Sequence, residues 1–139
     1  MTEISLDGIH FMLPTPFTPD GEVDPGSFSK LAACAEKAGC RGVVCLGGLG
    51  GAFLFEELRR GAVGTMTGFA FPEVLVRIHR HLSAGEVEKA RDLFYRWLPL
   101  IRYENQTGIG LSIRKHILTR RGLLASPAVR PPTPAIDRA

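Results

Sequence analysis

Apolar positions recur with two different periods along the chain, and the switches between them mark its elements. Gly8-Ile9-His10-Phe11-Met12-Leu13-Pro14 is a short apolar run closed by turn residues, the form of a buried parallel strand. Thr15-Pro16-Phe17-Thr18-Pro19-Asp20-Gly21 breaks that run into a loop. Asp24 followed by Pro25 offers an N-cap with proline at the first helical position. Phe28, Leu31, Ala32 and Ala35 then recur at helical spacing until Gly39 ends the pattern. Gly42-Val43-Val44-Cys45-Leu46 is a second buried strand. Residues 8–46 therefore spell a βαβ unit whose two strands run parallel with a right-handed crossover.

Beyond it the glycine loop Gly47-Gly48-Leu49-Gly50-Gly51 leads into Phe53-Leu54-Phe55-Glu56-Glu57-Leu58-Arg59-Arg60, a short helix with acids before bases, as the helix dipole prefers. Ala62 to Gly68 reads as a third strand, lightly built, with glycines where another backbone approaches closely. From Pro72 the period is helical. Val74, Leu75, Ile78 and Leu82 form one stripe, Ser83-x-x-Glu86 has the form of a capping box, and Ala90, Leu93, Phe94, Trp97, Leu98 and Ile101 form the next stripe. A last helix over about 108–121 carries Ile109, Ile113 and Ile117. The tail from Ser126, with Pro127, Pro131, Pro132 and Pro134, runs extended over the surface.

Composition narrows the picture without naming a function. With 139 residues the chain makes about one domain and is too short for a complete (β/α)8 barrel, which needs roughly 200 or more. Hydrophobic residues at 45% and charged residues at 22% describe an ordinary globular chain that buries a core. The net charge of +3 is too mild to imply a nucleic-acid or membrane partner. It is distributed unevenly, with 3 basic and 8 acidic residues in 1–58 and 14 and 6 in 59–139. The N-terminus has no basic leader segment, and no apolar run approaches about 18 residues, which points to a soluble cytoplasmic protein. Cys34, Cys40 and Cys45 fit neither a disulfide framework nor a C-x-x-C site and read as reduced, buried thiols.

Several constellations are excluded by spacing. Gly47–Gly51 lacks the lysine and hydroxyl of a phosphate loop and reads as a tight turn. His79 and His81 point to different helix faces, and His10 and His116 stand alone, so no metal site is expected. Glu56-Glu57 and Glu86-x-Glu88 read as helix N-terminal or solvated acids. Arg96, Arg102, Arg114, Lys115, Arg120, Arg121 and Arg130 form a basic C-terminal half able to track phosphates, but no aromatic ladder interleaves with them, and nucleic acid is an unlikely partner.

A resemblance adds to this reading. Gly8…Thr15-Pro16-Phe17-Thr18-x-Asp20-Gly21-x-Val23-Asp24, with Ala38-Gly39-Cys40-x-Gly42-Val43, resembles the opening of the dihydrodipicolinate synthase / N-acetylneuraminate lyase family. Gly47-Gly48-Leu49-Gly50-Gly51…Glu57-Leu58-x-Arg60-Gly61-Ala62-x-Gly64-Thr65-Met66-Thr67-Gly68-Phe69-Ala70-Phe71-Pro72-Glu73 is similar to that family's seventh-strand loop, seventh helix, eighth strand and entry to the eighth helix. Ala84-Gly85-Glu86…Tyr103-Glu104-Asn105-Gln106…Arg114-Lys115…Arg121-Gly122…Val129-Arg130-Pro131-Pro132 resembles its C-terminal helical extension. The resemblance implies an α/β fold: a partial (β/α)8 TIM barrel of about three parallel strands over residues 1–82 (1–46 the first βαβ, 47–82 units like the seventh and eighth), a helical extension over 83–125 and an extended tail over 126–139. It implies class I aldolase, lyase or dehydratase chemistry on pyruvate-derived 2-oxo acids through a lysine imine, with no added cofactor. Within the family the Gly-Thr-Met-Thr-Gly-Phe-Ala-Phe-Pro-Glu and Tyr-Glu-Asn-Gln runs look more like the branch acting on 2-keto-3-deoxy sugar acids.

The same resemblance exposes a deficit. The chain passes from something like the second strand to the seventh-strand loop between Val44 and Gly48, and the family's catalytic lysine and tyrosine fall inside that gap. An imine-forming lysine must be desolvated so that its amine is neutral near pH 7. Lys30, Lys37, Lys89 and Lys115 all read as solvated surface lysines, and Tyr95 and Tyr103 as surface rings of the extension. No catalytic residue is assigned, and the chain alone is expected to be inactive. The substrate-facing positions carried over from the family are Thr15, Gly64, Thr65, Met66 and Thr67. Three strands cannot close a barrel, so an inner face bearing Phe11, Leu13, Val43 and Leu46 is expected to lie open unless a second copy or a full-length relative covers it.

Overall fold

The computed structural model of the protein describes residues 5–45 and 51–136. Among the described residues eight elements follow one another: β1 (Gly8–Leu13), α1 (Pro25–Ala38), β2 (Gly42–Cys45), α2 (Leu54–Arg59), β3 (Gly64–Thr67), α3 (Pro72–Ser83), α4 (Val87–Glu104) and α5 (Gly110–Arg120). The expected α/β architecture is observed, with three parallel strands and helices around them.

Local chemistry fixes α1. Asp24 sits at its N-cap, and its carboxylate accepts from the Ser27 N–H at 3.2 Å and the Ser27 hydroxyl at 2.5 Å. Those bonds hold the Asp24 carboxyl below the usual carboxylate range. Gly39 ends the helix at φ 81°, a left-handed conformation that glycine adopts without a Cβ clash. The buried face runs through Ser27, Leu31 and Ala35, and Ala32 is exposed. The expected stripe is thus rotated, because the Ser27 hydroxyl accepts from the Ala125 N–H at 3.1 Å and docks the post-α5 segment on that face.

The sheet order is β2-β1-β3, so the first strand lies in the centre. Phe11 is level with Val43 on one side and Thr67 on the other. Gly64 stands opposite Gly8, and a Cβ there would overlap the Gly8 carbonyl. The glycine in this strand is therefore a close-approach residue.

Two apolar clusters cover the helical side of the sheet. One gathers Ile9 with Leu75 and Ile78 of α3 and Phe94, Leu98 and Ile101 of α4. The other gathers Phe11 and Leu13 with Leu31 and Ala35 of α1, Leu118 of α5 and Leu124. Each fully buried Leu, Ile or Phe contributes about 1.5–3 kcal/mol relative to exposure. Partial barrel and helical extension share the first cluster, and α4 is long enough to carry Pro99 within it.

Two expectations are corrected here. Phe11 and Leu13 are buried against helices rather than lining an open inner face, because neighbours in a strand alternate sides and Ile9, Phe11 and Leu13 share the helical one. Among the described strand residues the exposed large apolar side chains are Met66, 55% exposed and paired with His10, and Val43, 48% exposed, on β2; Leu46 lies outside the described residues. Ser83 does not cap α4. It ends α3, while the Glu86 carboxylate bonds His81 Nδ1 and Lys89 Nζ, each at 2.6 Å.

The thiols of Cys34 and Cys40 are free and half-buried, and burial raises both, Cys40 to about 11. Among the described residues no cluster of His, Cys, Asp and Glu could hold a metal, and no helix is long and apolar enough to cross a membrane.

Candidate functional site at the C-terminal end of β1

Barrel-type sheets present their chemistry at the C-terminal ends of the strands. Here β1 runs out through Pro14 and Thr15 into a hairpin-like loop. Phe17 bridges Val23, Gly21 N–H donates to the Thr18 carbonyl at 3.0 Å, and Asp24 N–H donates to the Pro16 carbonyl at 3.0 Å. The loop is thereby a fixed platform that presents the Phe17 ring to α5 and to the tail behind it.

On that platform lies a cavity of about 330 Å³. Its walls come from the end of β1, from Phe17, from Lys115 of α5 and from Arg130 and Thr133 of the tail. Lys115 is 1% exposed. Its Nζ donates to the Ala128 carbonyl at 2.7 Å and stands 4.3 Å from the centroid of Phe17. Arg130 stands 4.4 Å from the same centroid and holds the loop by donating from Nε and Nη2 to the Gly21 carbonyl at 3.0 and 2.6 Å. Burial pulls the Lys115 ammonium down to about 8, and the neighbouring Arg130 charge adds to that shift. A lysine so placed is partly neutral near pH 7, as an exposed one is not.

This overturns the reading of Lys115 as a solvated surface lysine. Lys30, Lys37 and Lys89 are exposed as expected, on α1 and α4. Periodicity missed Lys115 because its shield is the tail folding back across α5: Ser112 hydroxyl donates to the Pro134 carbonyl at 2.5 Å, and Ala128 and Thr133 stand around the amine. The four prolines of the tail were its only sequence signal.

A second buried cation anchors the neighbouring loop. Arg114 Nε donates to Glu104 at 3.3 Å, and the same carboxylate accepts the Ala70 N–H at 3.1 Å. Both side chains are at most 5% exposed. Burial raises the Glu104 carboxyl and lowers the Arg114 guanidinium, while each partner's charge opposes the other's shift. Arg121 extends this brace, donating to the Ala70 carbonyl and to Glu73 at 2.8 Å, over the ring of Phe71. The expected basic track is therefore interrupted. Arg114 and Lys115 face inward and Arg121 is bound to an acid.

Of the five positions carried over for substrate, Thr15 lines the cavity and Gly64–Thr67 do not. Gly64 and Thr65 are half-buried in β3, Met66 is exposed on the helix-free side, and Thr67 is buried with its hydroxyl accepting from the Phe69 N–H at 3.1 Å. The structure thus places them on adjacent strands without gathering them in one hollow. Gly47–Gly50 lie outside the described residues. Tyr95 and Tyr103 are exposed on α4, as expected. His79 Nε2 meets the Val63 carbonyl at 3.0 Å while His81 meets Glu86, so the two rings serve separate contacts.

No family model matches the chain. Over 83 residues it is 34% identical to the L-2-keto-3-deoxyarabonate dehydratase of Azospirillum brasilense, a match that takes in 60% of this chain and 26% of that protein. The match spans about a quarter of that relative's length. Among solved structures, a dihydrodipicolinate synthase from Rhodopseudomonas palustris superposes with a TM-score of 0.88 at 22% identity, covering 94% of this chain and 93% of that one. A putative dihydrodipicolinate synthetase from Pseudomonas aeruginosa does so at 0.72 and 16% identity, covering 96% and 95%. The fold is that of the dihydrodipicolinate synthases.

Proposed function

We propose that the chain is a shortened member of the dihydrodipicolinate synthase family that keeps the scaffold of a 2-oxo-acid lyase or dehydratase without performing the cleavage by itself, a reading supported by the shared fold and by the likeness to a keto-deoxy-acid dehydratase. One observation carries this reading: among the described residues no strand contributes a lysine. The one shielded amine among the described residues, Lys115, belongs to α5 and is tied to a tail carbonyl. Imine formation requires a neutral amine to attack the keto carbon and expel water, and the family-type site for that attack faces the barrel interior. On the side of the sheet away from the helices the described strands offer the side chains of His10, Met12, Val44 and Met66, none of them a nucleophile for that step.

Of the positions carried over, Thr15 alone lines a hollow and is then the residual contact for a 2-oxo acid such as pyruvate or a keto-deoxy sugar acid, while Gly64, Thr65, Met66 and Thr67 serve the sheet. The chain acts as a scaffold for a second copy or a full-length relative, seated along the open edges of β2 and β3 and over Met66. Exposed apolar groups beside two unpaired strand edges support association over a role as a nucleic-acid module.

Borohydride reduction in the presence of pyruvate, followed by intact-mass analysis and peptide mapping, tests the catalytic part. The expected result is an unmodified chain. A covalent adduct on Lys115 would overturn the inactivity and make the β1 cavity the reacting site. Sedimentation tests the scaffold, and a compact monomer at tens of micromolar would contradict it.

A further inference from the structure

We propose that the cavity at the end of β1 is a binding site for a small oxyanion, a carboxylate or a phosphate, held between Lys115 and Arg130. This does not depend on whether the lyase reaction survives. The walls carry two cations, Lys115 and Arg130, two hydroxyl residues, Thr15 and Thr133, and no acid. Among the described residues neither cation has a carboxylate within ion-pair distance, whereas Arg114, one residue away, has Glu104. A charge taken out of water without a counter-charge is costly, and proteins compensate it by pairing or by neutralisation. For Lys115 the protein supplies one carbonyl and the face of Phe17, which leave two of its three ammonium protons available.

Arg130 is similarly half-used. Nε and Nη2 serve the Gly21 carbonyl, and Nη1 carries no bond to the described residues. The hydroxyls of Thr15 and Thr133 also make none, so the lining presents donors on several sides of one hollow. A cavity of about 330 Å³ is at the small end of ligand sites, the scale of a small acid or a phosphate. An anion there counteracts what depresses the lysine: burial remains, but an opposite charge now favours the ammonium and offsets the repulsion from Arg130.

The test uses the full chain, with the Lys115 side chain followed by NMR through its titration in chloride, in sodium acetate and in inorganic phosphate at matched ionic strength. The site predicts that at least one probe raises the Lys115 midpoint saturably, with acetate alone identifying a carboxylate site and phosphate alone a phosphate site. Arg130→Gln, at an exposed position outside the core, is expected to weaken that response roughly ten-fold, the effect of removing one charge-assisted partner. Lys115→Met is expected to abolish saturable binding measured by calorimetry. A Lys115 midpoint identical in all three salts would overturn the proposal, as would binding that persists undiminished in both variants.

Discussion

Arg114 and Lys115 are successive residues of one helix, both buried, and the molecule treats them in opposite ways. Arg114 turns toward the partial barrel, where Glu104 neutralises it and the same carboxylate binds the Ala70 N–H at the entrance to α3. Lys115 turns toward the tail, where it meets a carbonyl and a ring but no acid. The first side is a finished brace between α4, α5 and the loop after β3. The second keeps unspent hydrogen-bonding capacity. A paired buried charge signals structure, and an unpaired one beside a cavity signals a ligand.

The largest effect should come from breaking the brace. Glu104→Ala leaves Arg114 an uncompensated buried cation and orphans the Ala70 N–H, with an expected loss of about 3–5 kcal/mol in urea unfolding. A loss below about 1 kcal/mol would show that this side is not shielded. Replacing both partners, Glu104→Leu with Arg114→Met, should regain at least half of that loss, since an apolar pair of similar volume carries no desolvation penalty.

Lys115 sharpens the contrast through pH. Its folded-state midpoint of about 8 lies below the ordinary 10.5, so the unfolded chain holds the proton more tightly. The native state is penalised in full below about pH 8, and the penalty is relieved as pH rises from about 8 to 10.5. Stability of the protein relative to Lys115→Met should therefore rise across that window, as read by denaturant midpoints. Equal slopes for the two proteins would contradict the shielding. The smallest effect is expected from Phe17→Leu, about 0.5–1 kcal/mol for each cation at the ring, with the Lys115 midpoint falling further.

What could be read along the chain divides by the range of the interactions involved. The start of α1 was legible because Asp24, Pro25 and Gly39 act within one helical turn. Gly64 was legible as a close-approach residue for a similar reason, since only a missing Cβ fits opposite Gly8. Ser83 looked like a cap, but Glu86 was recruited by His81 and Lys89 instead, a competition that spacing does not reveal. Lys115 was illegible because α5 buries Ser112, Arg114 and Lys115 alongside Ile113 and Leu118, so its period carries little amphipathic signal. The burial there depends on Ala128, Arg130 and Thr133, which meet the helix only after the chain has folded back.

The central position of β1 bears on how the chain is made. The strand is made before both of its neighbours, and the second of them, β3, is complete only when Thr67 has been added. Until then one border of β1 has no native partner, and although α1 already offers Leu31 and Ala35 to Phe11 and Leu13, the α3 and α4 residues around Ile9 and Leu118 of α5 come later still. Nascent chains halted before that residue should be the most prone to stick to one another, because long-range parallel pairing leaves such borders bare for longest.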